Sequence, residues 1–575
     1  MPPRMTVTTQ AFEGYDVQAW RQATVEPRAL LEAATFEASA DHGQTWRDIG
    51  RGDLQGITAP EDGSGSLMLR AHIPDPTPQT RVEAITLDYH GAPWKVALAD
   101  DRFEFSFSTA TVALVEIRNL QTDTVVAGGQ APLFRLDYLP HDGTEIESVP
   151  DDAVRLDRYE LTDNPPQIDL FYDVTLPEGT SRVRCHAELP PEGLPTFRTE
   201  VTNGFEGMDI VEVHFPVVSG ARIGDDYRDD RLIWPRWGMR DIPEAAHNAP
   251  GRVLYPGGGA NMPWMDLYQD GEDAQGLYMA AHDETILVGE VRAEGMQNAD
   301  ALRMGLSKVP RITPGETFTA GDFVILPHSG DWHAAADVYR QWFRSWAQPP
   351  NHPDWVVDAD GWLGSGRGTN FLRDLPERYR QARRLGLNYI ENWGQMMAGP
   401  AVGEGCCNRL YFPDPRYGTE EDFTQAISYV RRAGGHIGFY TNGMAWNPRY
   451  PQMRECYEGI VPEGILIPDW EKEYHRYAIV QANGEYLPQY AKPEEDDSPY
   501  PGSFFFMCSA ADGWQDYLYH YIVGKYVEQY GVDAMYVDMV AAAAAKLCFA
   551  KGHGHDDTIG AWGRGHLENF RRFKT

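Results

Sequence analysis

The chain of 575 residues is 42% hydrophobic, 12% aromatic and 23% charged. This composition excludes disordered, collagen-like and coiled-coil proteins, and the length allows more than one domain. Acidic residues outnumber basic ones by 85 to 50, which gives a formal net charge of −35. Because that charge repels phosphate backbones and anionic lipid, neither nucleic acid nor a membrane is an expected partner.

Apolar runs stay well below the roughly 20 residues that a membrane span needs, and the opening residues lack the apolar segment of a secretory signal. The expected location is therefore the cytoplasm. The cysteines form no CxxC pair, so we predict mostly reduced thiols instead of a disulfide framework. They are Cys185, Cys406, Cys407, Cys456, Cys508 and Cys548.

Residues 1–328 have the sequence pattern of β-structure. Short alternating or β-branched runs, such as residues 102–119, 167–177 and 209–219, are separated by turns rich in Gly, Pro, Asp and Asn. Convincing amphipathic helices are almost absent from this part. So long and uniform a β-region predicts one large two-sheet sandwich instead of a series of small modules.

Residues 329–350 form a predicted linker helix. Aromatic and small residues recur there at helical spacing until Pro349-Pro350 ends the run. We interpret this stripe as a packing face, because helical periodicity is what burial requires. Its members are Trp332, Ala336, Tyr339, Trp342, Phe343 and Trp346.

Residues 351–575 repeat one pattern three times: the end of a helix, a glycine and a hydrophobic strand. The repeats are residues 383–393, 431–442 and 528–539, and a further strand is predicted near Val356–Leu363. Together they predict βα units of a parallel sheet. Helix starts are predicted at Asp374, Thr419 and Asp512, and helix-ending glycines at Gly386, at Gly434 or Gly435, and at Gly531.

The spacing of these units fits a (β/α)8 barrel with long loops. Four strands occupy about 220 residues, whereas a typical barrel uses about 250 for eight, so the chain is expected to stop inside the barrel near a helix at 566–573. The predicted fold class is α+β multidomain: an N-terminal β-sandwich followed by a TIM-type barrel truncated after about four βα units. A small open α/β sheet is the alternative, although the phosphate-binding glycine loop usual in such sheets is missing.

Functional groups in parallel α/β folds lie at the carboxyl ends of the strands. Asp538 directly follows the apolar run AMYV, where a carboxylate is costly unless it is paired or solvated in a cleft. Its structural alternative is a turn cap or an arginine partner. The other candidates combine aromatic faces with hydrogen-bonding groups, as a sugar site requires, and each could equally be structural. They are Trp362, Glu391, Trp393, Gln395, Tyr440, Asn442 and Tyr536.

These motifs resemble a poorly characterised family of barrel-type glycoside hydrolases, related to the α-galactosidase and endo-α-N-acetylgalactosaminidase superfamily. The resemblance is specific after residue 355 and looser over the sandwich. It implies a galactose-mutarotase-like β-supersandwich before the barrel, and it makes Asp538, at the end of the fourth strand, the catalytic nucleophile. The residues that carry it are Met507-Cys508, Tyr530–Asp533, Tyr536–Asp538, Cys548 and His553–His555.

The resemblance also implies a general acid on the fifth or sixth strand, beyond Thr575. A retaining glycosidase needs its second carboxyl about 5 to 5.5 Å from the nucleophile, and an inverting one about 6.5 to 9.5 Å away. If nothing follows Thr575, little or no turnover is expected unless another acid serves; a fragment of a longer protein is the simpler explanation. The candidates within the chain are Asp360, Glu391, Asp469, Glu471 and Glu473.

The sequence His553-Gly-His555-Asp556-Asp557 also suggests a metal site. Two histidines at i and i+2 without a third spaced partner are a weak signal, so we assign no metal and no cofactor. The resemblance instead places His553 and His555 among the substrate-binding residues. Cys548 is interpreted as a packed or pocket thiol, because no partner arrangement for a nucleophilic cysteine is identifiable.

The predicted function is hydrolysis of an α-linked sugar, with Asp538 as nucleophile and a carbohydrate as the partner. The first alternative is a carbohydrate-binding or inactive glycosidase-like protein. The second is a metal-dependent hydrolase built on His553 and His555. Which sugar, which linkage, retention or inversion, and the oligomeric state are left open.

Overall fold

The computed structural model describes most of the chain. The described residues are 4–9, 12–26, 34–40, 44–54, 57, 65–74, 76, 82, 84–92, 95–129, 131–224, 226–271, 273–296, 299–348, 350–364, 372–392, 418–446, 476–491 and 502–574.

Residues 4–92 form a sheet of their own. Its strands are β1 Arg4–Thr8, β2 Phe12–Glu26, β3 Thr35–Ser39, β4 Arg47–Asp48, β5 Gly65–Pro74 and β6 Ala84–Ala92. They follow the order β4-β3-β5-β2-β6, with β1 beside β5, over a separate apolar cluster that includes Trp20, Phe36 and Leu69. The prediction of one body up to residue 328 therefore differs from the structure, because alternation marks a strand without saying which sheet it joins.

A ten-stranded antiparallel sheet forms one layer of the sandwich. Its strands are β7 Lys95–Ala99, β8 Phe103–Ser108, β9 Leu114–Asn119, β10 Thr124–Ala127, β11 Arg135–Pro140, β12 Glu147–Ser148, β17 Met208–Ala221, β20 Gly251–Tyr255, β23 Gly289–Met296 and β24 Ala301–Lys308. The main path runs β20-β23-β24-β17-β10-β9-β8-β7, and β11 pairs with both β12 and β17.

A nine-stranded antiparallel sheet forms the other layer. Its strands are β13 Val154–Asp163, β14 Pro166–Leu176, β15 Gly179–Glu188, β16 Thr196–Thr202, β18 Arg231–Trp234, β19 Arg240–Pro243, β21 Trp264–Tyr268, β22 Gln275–Ala281 and β25 Thr317–Ser329. Their order is β13-β14-β15-β16-β25-β22-β21-β18-β19. Short helical turns accompany the two sheets at Asp151–Ala153, Tyr227–Asp229 and Ala245–Asn248.

The sandwich core lies between these two layers. Along β14, Ile168, Leu170, Tyr172 and Val174 are buried while their neighbours are less so, the period of two that a half-buried strand requires. Aromatic rings meet across the layers in edge-to-face pairs, a favoured geometry for π-systems. The pairs are Phe105 with Phe197, Phe134 with Tyr172, and Phe215 with Phe323.

The linker helix runs from Trp332 to Trp346. Asp331 caps its start by accepting a hydrogen bond from the backbone N–H of His333. The aromatic stripe packs on the nine-stranded sheet: Tyr339 stacks on Trp264 with ring centroids 5.9 Å apart. Ala335 is fully buried in the same cluster.

A parallel sheet follows the linker helix. Its strands β26 Leu363–Gly364, β27 Tyr389–Asn392, β28 His436–Asn442 and β32 Ala534–Asp538 are adjacent in chain order. The strand predicted near Val356–Leu363 is mostly absent there: Asp354–Val357 is a helical turn after Pro353, and only Leu363 and Gly364 pair. Two valines flanked by acids are too short an apolar run for a buried strand.

Helices cover one face of the parallel sheet. The helix Glu420–Arg432 begins with a capping box between Thr419 and Asp422, and Gly434, at φ +77°, is the left-handed residue after it. Phe423 of this helix packs on Phe439 of β28 with ring centroids 4.9 Å apart. The helices of this region are Leu375–Arg384 after the turn Leu372–Asp374, Glu420–Arg432, Asp512–Tyr519 continuing as a π-helix over His520–Gln529, and Trp562–Lys574.

A small antiparallel sheet and an irregular segment complete this body. The sheet has the order β29-β31-β30, with β29 Ala445–Trp446, β30 Pro488–Ala491 and β31 Gly502–Phe506. Residues 539–561, here called the post-strand segment, connect β32 to the last helix without a regular helix or strand. The segment bonds to the sandwich: the Thr558 hydroxyl donates to the carbonyl of Val309 at 2.6 Å, and Gly258 N–H donates to the carbonyl of Ala543 at 3.0 Å.

Candidate active site

The register of the parallel sheet brings four predicted site residues together at its carboxyl end. Tyr440 pairs with Tyr536, and Asn442 pairs with Asp538. Since side chains alternate along a strand, all four start from the same face of the sheet. The helices pack against the opposite face, through residues such as Phe439. The polar and aromatic side chains therefore share the face on which a barrel would place its interior.

Asp538 ends β32 and is partly buried. The hydroxyl of Tyr440 donates a hydrogen bond to its Oδ2 at 2.6 Å. A hydroxyl-to-carboxylate bond of this length is in the strong, charge-assisted range. Asp538 is thus oriented by a tyrosine at a sheet edge, and within the part of the chain that the structure describes no arginine is paired with it.

Tyr440 and Tyr536 form a stacked pair beside Asp538, with ring centroids 5.7 Å apart and an interplanar angle of 22°. Tyr440 is buried, whereas Tyr536 is 46% exposed. Burial, followed by the negative charges of Asp538 and Glu391, raises the pKa of Tyr536. An exposed aromatic face next to an oriented carboxylate is suited to a sugar ring, which offers an apolar face and polar edges.

Glu391 lies deeper on the same face, at the register level of Gly438. The hydroxyl of Tyr389 donates to its Oε2, while its Oε1 is buried without a hydrogen-bond partner among the described residues. Desolvation raises the pKa of Glu391 to about 8. The site is tight, since a Cβ on Gly438 would lie 2.0 Å from the Tyr389 hydroxyl oxygen. Glu391 is therefore mainly protonated at neutral pH, in a pocket that only glycine at 438 leaves open.

Strand geometry separates Glu391 from Asp538. Glu391 pairs with Gly438 on the next strand, and Gly438 pairs with Ala534 on the strand after that. Asp538 therefore lies two strands away from Glu391 and four residues farther along the strand direction. At about 4.8 Å per strand and 3.3 Å per residue, the Cα atoms are roughly 16 Å apart. Even with both side chains extended toward each other, the carboxyl groups stay about 10 Å apart, outside both glycosidase spacings. This separation does not favour Glu391 as the acid partner of Asp538.

Asn442, a predicted substrate contact, makes hydrogen bonds to its own backbone. Its Oδ1 accepts hydrogen bonds from the backbone N–H groups of Met444 at 3.0 Å and Ala445 at 2.9 Å, and the residue is fully buried. An asparagine that bonds its own backbone two and three residues on stabilises a turn. The structure thus uses Asn442 to turn the chain after β28.

Trp362 lies near the amino end of the parallel sheet, next to Gly364, which pairs with Glu391. It directly precedes Leu363, which pairs with Ile390, so it is level with Tyr389 at the amino end of the sheet. Its side chain is 62% exposed. Asp360, one of the alternative acids, precedes it and is also exposed. The predictions for Trp393, Gln395, Asp469, Glu471 and Glu473 fall outside the described residues.

His553 and His555 are buried with two cysteines and do not present a polar wall to solvent. Cys508 Sγ lies 3.2 Å from Nε2 of His555, and Cys548 Sγ lies 3.6 Å from Nδ1 of His553. The hydrogen bond between the two thiols lowers the pKa of Cys548 and raises that of Cys508. Among the described cysteines, both are free thiols, as is Cys185.

Sequence spacing missed this Cys/His cluster, which is defined by Cys508, Cys548, His553 and His555. A signal existed in part, because Cys548, His553 and His555 fall within eight residues. The fourth member, Cys508, lies forty residues upstream, behind a helix and a strand. Only the fold brings it to the other three.

A cavity of about 540 Å³ lies elsewhere, between the sandwich and the segment 557–564. Its described lining contains Lys308 paired with Asp283, and Arg564 paired with Asp557. None of the predicted sugar-site residues is part of that lining. The internally paired charges are typical of a polar junction between two bodies, so the cavity is not taken as the substrate site.

Comparison with known proteins supports a glycoside hydrolase-like family. Residues 319–574 match the family model described as "Domain of unknown function (DUF6259)". A curated relative from Monosiga brevicollis, named "Putative glycoside hydrolase 22789", is 24% identical over 344 residues, which are 52% of this chain and 26% of the relative. The chain thus spans about a quarter of the length of that relative. The family resemblance predicted from the sequence is confirmed.

The fold is shared with a solved enzyme. The α-N-acetylgalactosaminidase NagBb from Bifidobacterium bifidum, in a GalNAc complex, aligns with a TM-score of 0.56 and 13% identity over 83% of this chain and 75% of that one. Its Gal-NHAc-DNJ complex gives 0.55 and 14% over 83% and 74%. At such identities the likeness concerns the multi-sheet fold alone. The helices among the described residues are all too short or too polar to cross a membrane.

Proposed function

We propose that this chain is part of a glycoside hydrolase that cleaves an α-linked sugar, with Asp538 as the catalytic nucleophile. The observation that carries the proposal is the position of Asp538: it ends a parallel strand, on the face away from the helices, where Tyr440 holds one of its oxygens. Carboxyl ends of parallel strands are where such folds place their chemistry.

The surrounding residues have compatible roles. Tyr536 supplies an exposed aromatic face for the sugar ring, and Tyr440 fixes the direction of the carboxylate. Attack by Asp538 Oδ on the anomeric carbon would break the glycosidic bond, and an acid must protonate the departing oxygen. In this proposal the four parallel strands are the first half of a (β/α)8 barrel, and the acid comes from outside the described residues.

The test uses the complete natural protein that contains these residues. Aryl α-galactosides and α-N-acetylgalactosaminides are the first substrates, since the family resemblance and the fold both point to that class. Asp538→Asn keeps the shape and the contact to Tyr440 but removes the charge, so turnover should fall by at least about 10³-fold. If the enzyme is retaining, a mechanism-based fluorosugar should label Asp538.

Asp533→Asn is the matched control. Asp533 precedes the same strand at its amino end, where its Oδ2 accepts from the backbone N–H of Ile437 at 3.1 Å, a bond that an asparagine oxygen can also accept. This variant should retain turnover. Full activity of Asp538→Asn, or a fluorosugar label on another residue, would overturn the proposal.

A carbohydrate-binding protein without turnover is the second candidate, favoured by the separation of Glu391 from Asp538. It predicts that calorimetry detects sugar binding to the wild type while no substrate is cleaved. Tyr536→Ala should then weaken binding, because the exposed ring provides the stacking face. Measurable turnover that depends on Asp538 would exclude this candidate.

A further inference from the structure

The Cys/His cluster has the donor set of a metal site. Two thiol sulfurs and two imidazole nitrogens all lie within 4.8 Å of one another, and all four residues are buried. Sulfur and imidazole donors in a set of four are typical of tetrahedral zinc. The geometry points to a structural Zn²⁺ site formed by Cys508, Cys548, His553 and His555.

The spacing of the donors fits a tetrahedron. With Zn–S at about 2.3 Å and Zn–N at about 2.0 to 2.1 Å, neighbouring ligand atoms in a tetrahedral site lie about 3.4 to 3.8 Å apart. The two measured S···N distances are 3.2 Å for Cys508 with His555 and 3.6 Å for Cys548 with His553. Both distances are thus close to tetrahedral values, and the other four distances between ligand atoms are no longer than 4.8 Å.

The supporting contacts also fit a metal site. Nδ1 of His555 lies 2.7 Å from the carbonyl oxygen of Thr558, so this nitrogen is the protonated one and Nε2 keeps its lone pair toward the sulfurs. Metal-binding histidines are commonly fixed in this way. Gly552 and Gly554 both adopt positive φ near +81°, and these two turns direct His553 and His555 to the same interior point.

Charge balance favours zinc in this interior. Binding Zn²⁺ displaces the two thiol protons to solvent, and two thiolates with two neutral imidazoles give a site of zero net charge. A neutral site is tolerated where an unpaired charge would be costly. Protein ligands occupy all four tetrahedral positions, so no position remains for a reactive water, and the role is structural. This arrangement does not favour the metal-dependent hydrolase alternative.

The site would organise the post-strand segment. Residues 539–561 have no regular secondary structure, and a compact domain rarely contains so long a stretch of this kind. Cys548, His553 and His555 belong to this segment, whereas Cys508 lies between β31 and the helix Asp512–Tyr519. A shared metal would join the segment that follows the candidate nucleophile to the body of the parallel sheet.

A second group of potential ligand residues, Asp137, Glu212 and His214, provides a comparison. There, Arg135 lies 3.1 Å from His214 and 3.4 Å from Asp137, so a cation is already part of the group. No arginine or lysine is paired with Cys508 or Cys548 among the described residues. Of the two groups found in the described part of the chain, the sulfur-containing one therefore has no cationic side chain at its thiols.

The test measures metal in the complete natural protein, purified without a metal-affinity tag and without chelators. Elemental analysis should find about one zinc per chain. Replacing zinc by Co²⁺ should give strong visible d–d bands and a thiolate-to-cobalt charge-transfer band. Cys548→Ser and His555→Gln should lose the metal, while Cys185→Ser should retain it, because Cys185 is a buried thiol of the sandwich that contacts Thr199.

If the variants do not fold, measurements on the wild type alone still test for the zinc site. A mercurial reagent that binds the thiols should release zinc in proportion to the cysteines modified. Protein without zinc and without cobalt bands, or with a disulfide between Cys508 and Cys548, would overturn the inference. These readouts need no sugar substrate, so they are independent of the proposed hydrolase function.

Discussion

The carboxyl edge around Asp538 and the Cys/His cluster are close in the chain but differ in access and in partners. At the edge, Tyr536 is half exposed, and Asp538 contacts the hydroxyls of Tyr440 and Tyr536. In the cluster every side chain is buried, and Cys508 and Cys548 each lie close to a histidine. The family resemblance places His553 and His555 among the substrate-binding residues, and in the structure both are buried beside Cys508 and Cys548.

The largest expected effect is on turnover, and it tests whether Asp538 and the Cys/His cluster act independently. Asp538→Asn should lower turnover by at least about 10³-fold while zinc content and thermal stability stay at wild-type values, since the change is confined to the open edge. Cys548→Ser should instead lose zinc and have a lower melting temperature than the wild type. Elemental analysis, calorimetry and steady-state kinetics on both variants provide the comparison. Loss of zinc in Asp538→Asn would mean that the two sites form one unit.

Tyr440→Phe should give the next largest effect. Removing the hydroxyl takes away the bond at 2.6 Å to Asp538 Oδ2 without changing the ring stack. A hydrogen bond to a charged group contributes about 1.5 to 3 kcal/mol, so kcat/KM should fall about 10- to 100-fold. Tyr519→Phe, on the helix Asp512–Tyr519, is the control and should leave kcat/KM unchanged. An unchanged kcat/KM in Tyr440→Phe would show that the Tyr440 hydroxyl does not position Asp538 for catalysis.

Glu391→Gln should change the pH dependence of stability. The pKa of Glu391 is raised from 4.5 to about 8 by desolvation, so the native state holds a proton that the unfolded state releases between these values. Stability from this group is full below pH 4.5 and falls by about 1.4 kcal/mol per pH unit as the pH rises toward 8.

The variant cannot ionise at this position, so its melting temperature should fall less than that of the wild type between pH 5 and 8. Glu377→Gln, on the exposed side of the helix Leu375–Arg384, should follow the wild type. Parallel curves for the wild type and Glu391→Gln would show that Glu391 titrates as an exposed acid does. A loss of turnover in Glu391→Gln would also reopen its role as an acid.

The smallest effect is expected for Trp362→Ala. Because Trp362 lies at the amino end of the sheet and is largely exposed, kcat/KM should change by no more than about twofold, as for most exposed sites. A fall of about tenfold or more would restore Trp362 to the substrate-binding set predicted from the sequence. Trp355→Ala is not a suitable control, because Trp355 stacks on His436 with ring centroids 4.0 Å apart.

Local signals in the sequence were sufficient for several elements. The capping box at Thr419 and the glycine endings at Gly386, Gly434 and Gly531, all at positive φ, agree with the predicted helix boundaries. These features depend on residues within one turn of each other, so they form without contacts to residues distant in the sequence. The strand expected near Val356–Leu363 is mostly absent, because its apolar run is too short to specify a buried strand and Asp354–Val357 forms a helical turn instead.

The sequence by itself determined the alternation that makes the sandwich strands, the helix-glycine-strand pattern, and the position of Asp538 after an apolar strand. Only the tertiary structure decided that residues 4–92 form a separate sheet, that Asn442 caps a turn, and that Cys508 meets Cys548, His553 and His555. The physical reason is range: backbone preferences act over a few residues, whereas sheet membership and shared ligation depend on contacts across tens of residues.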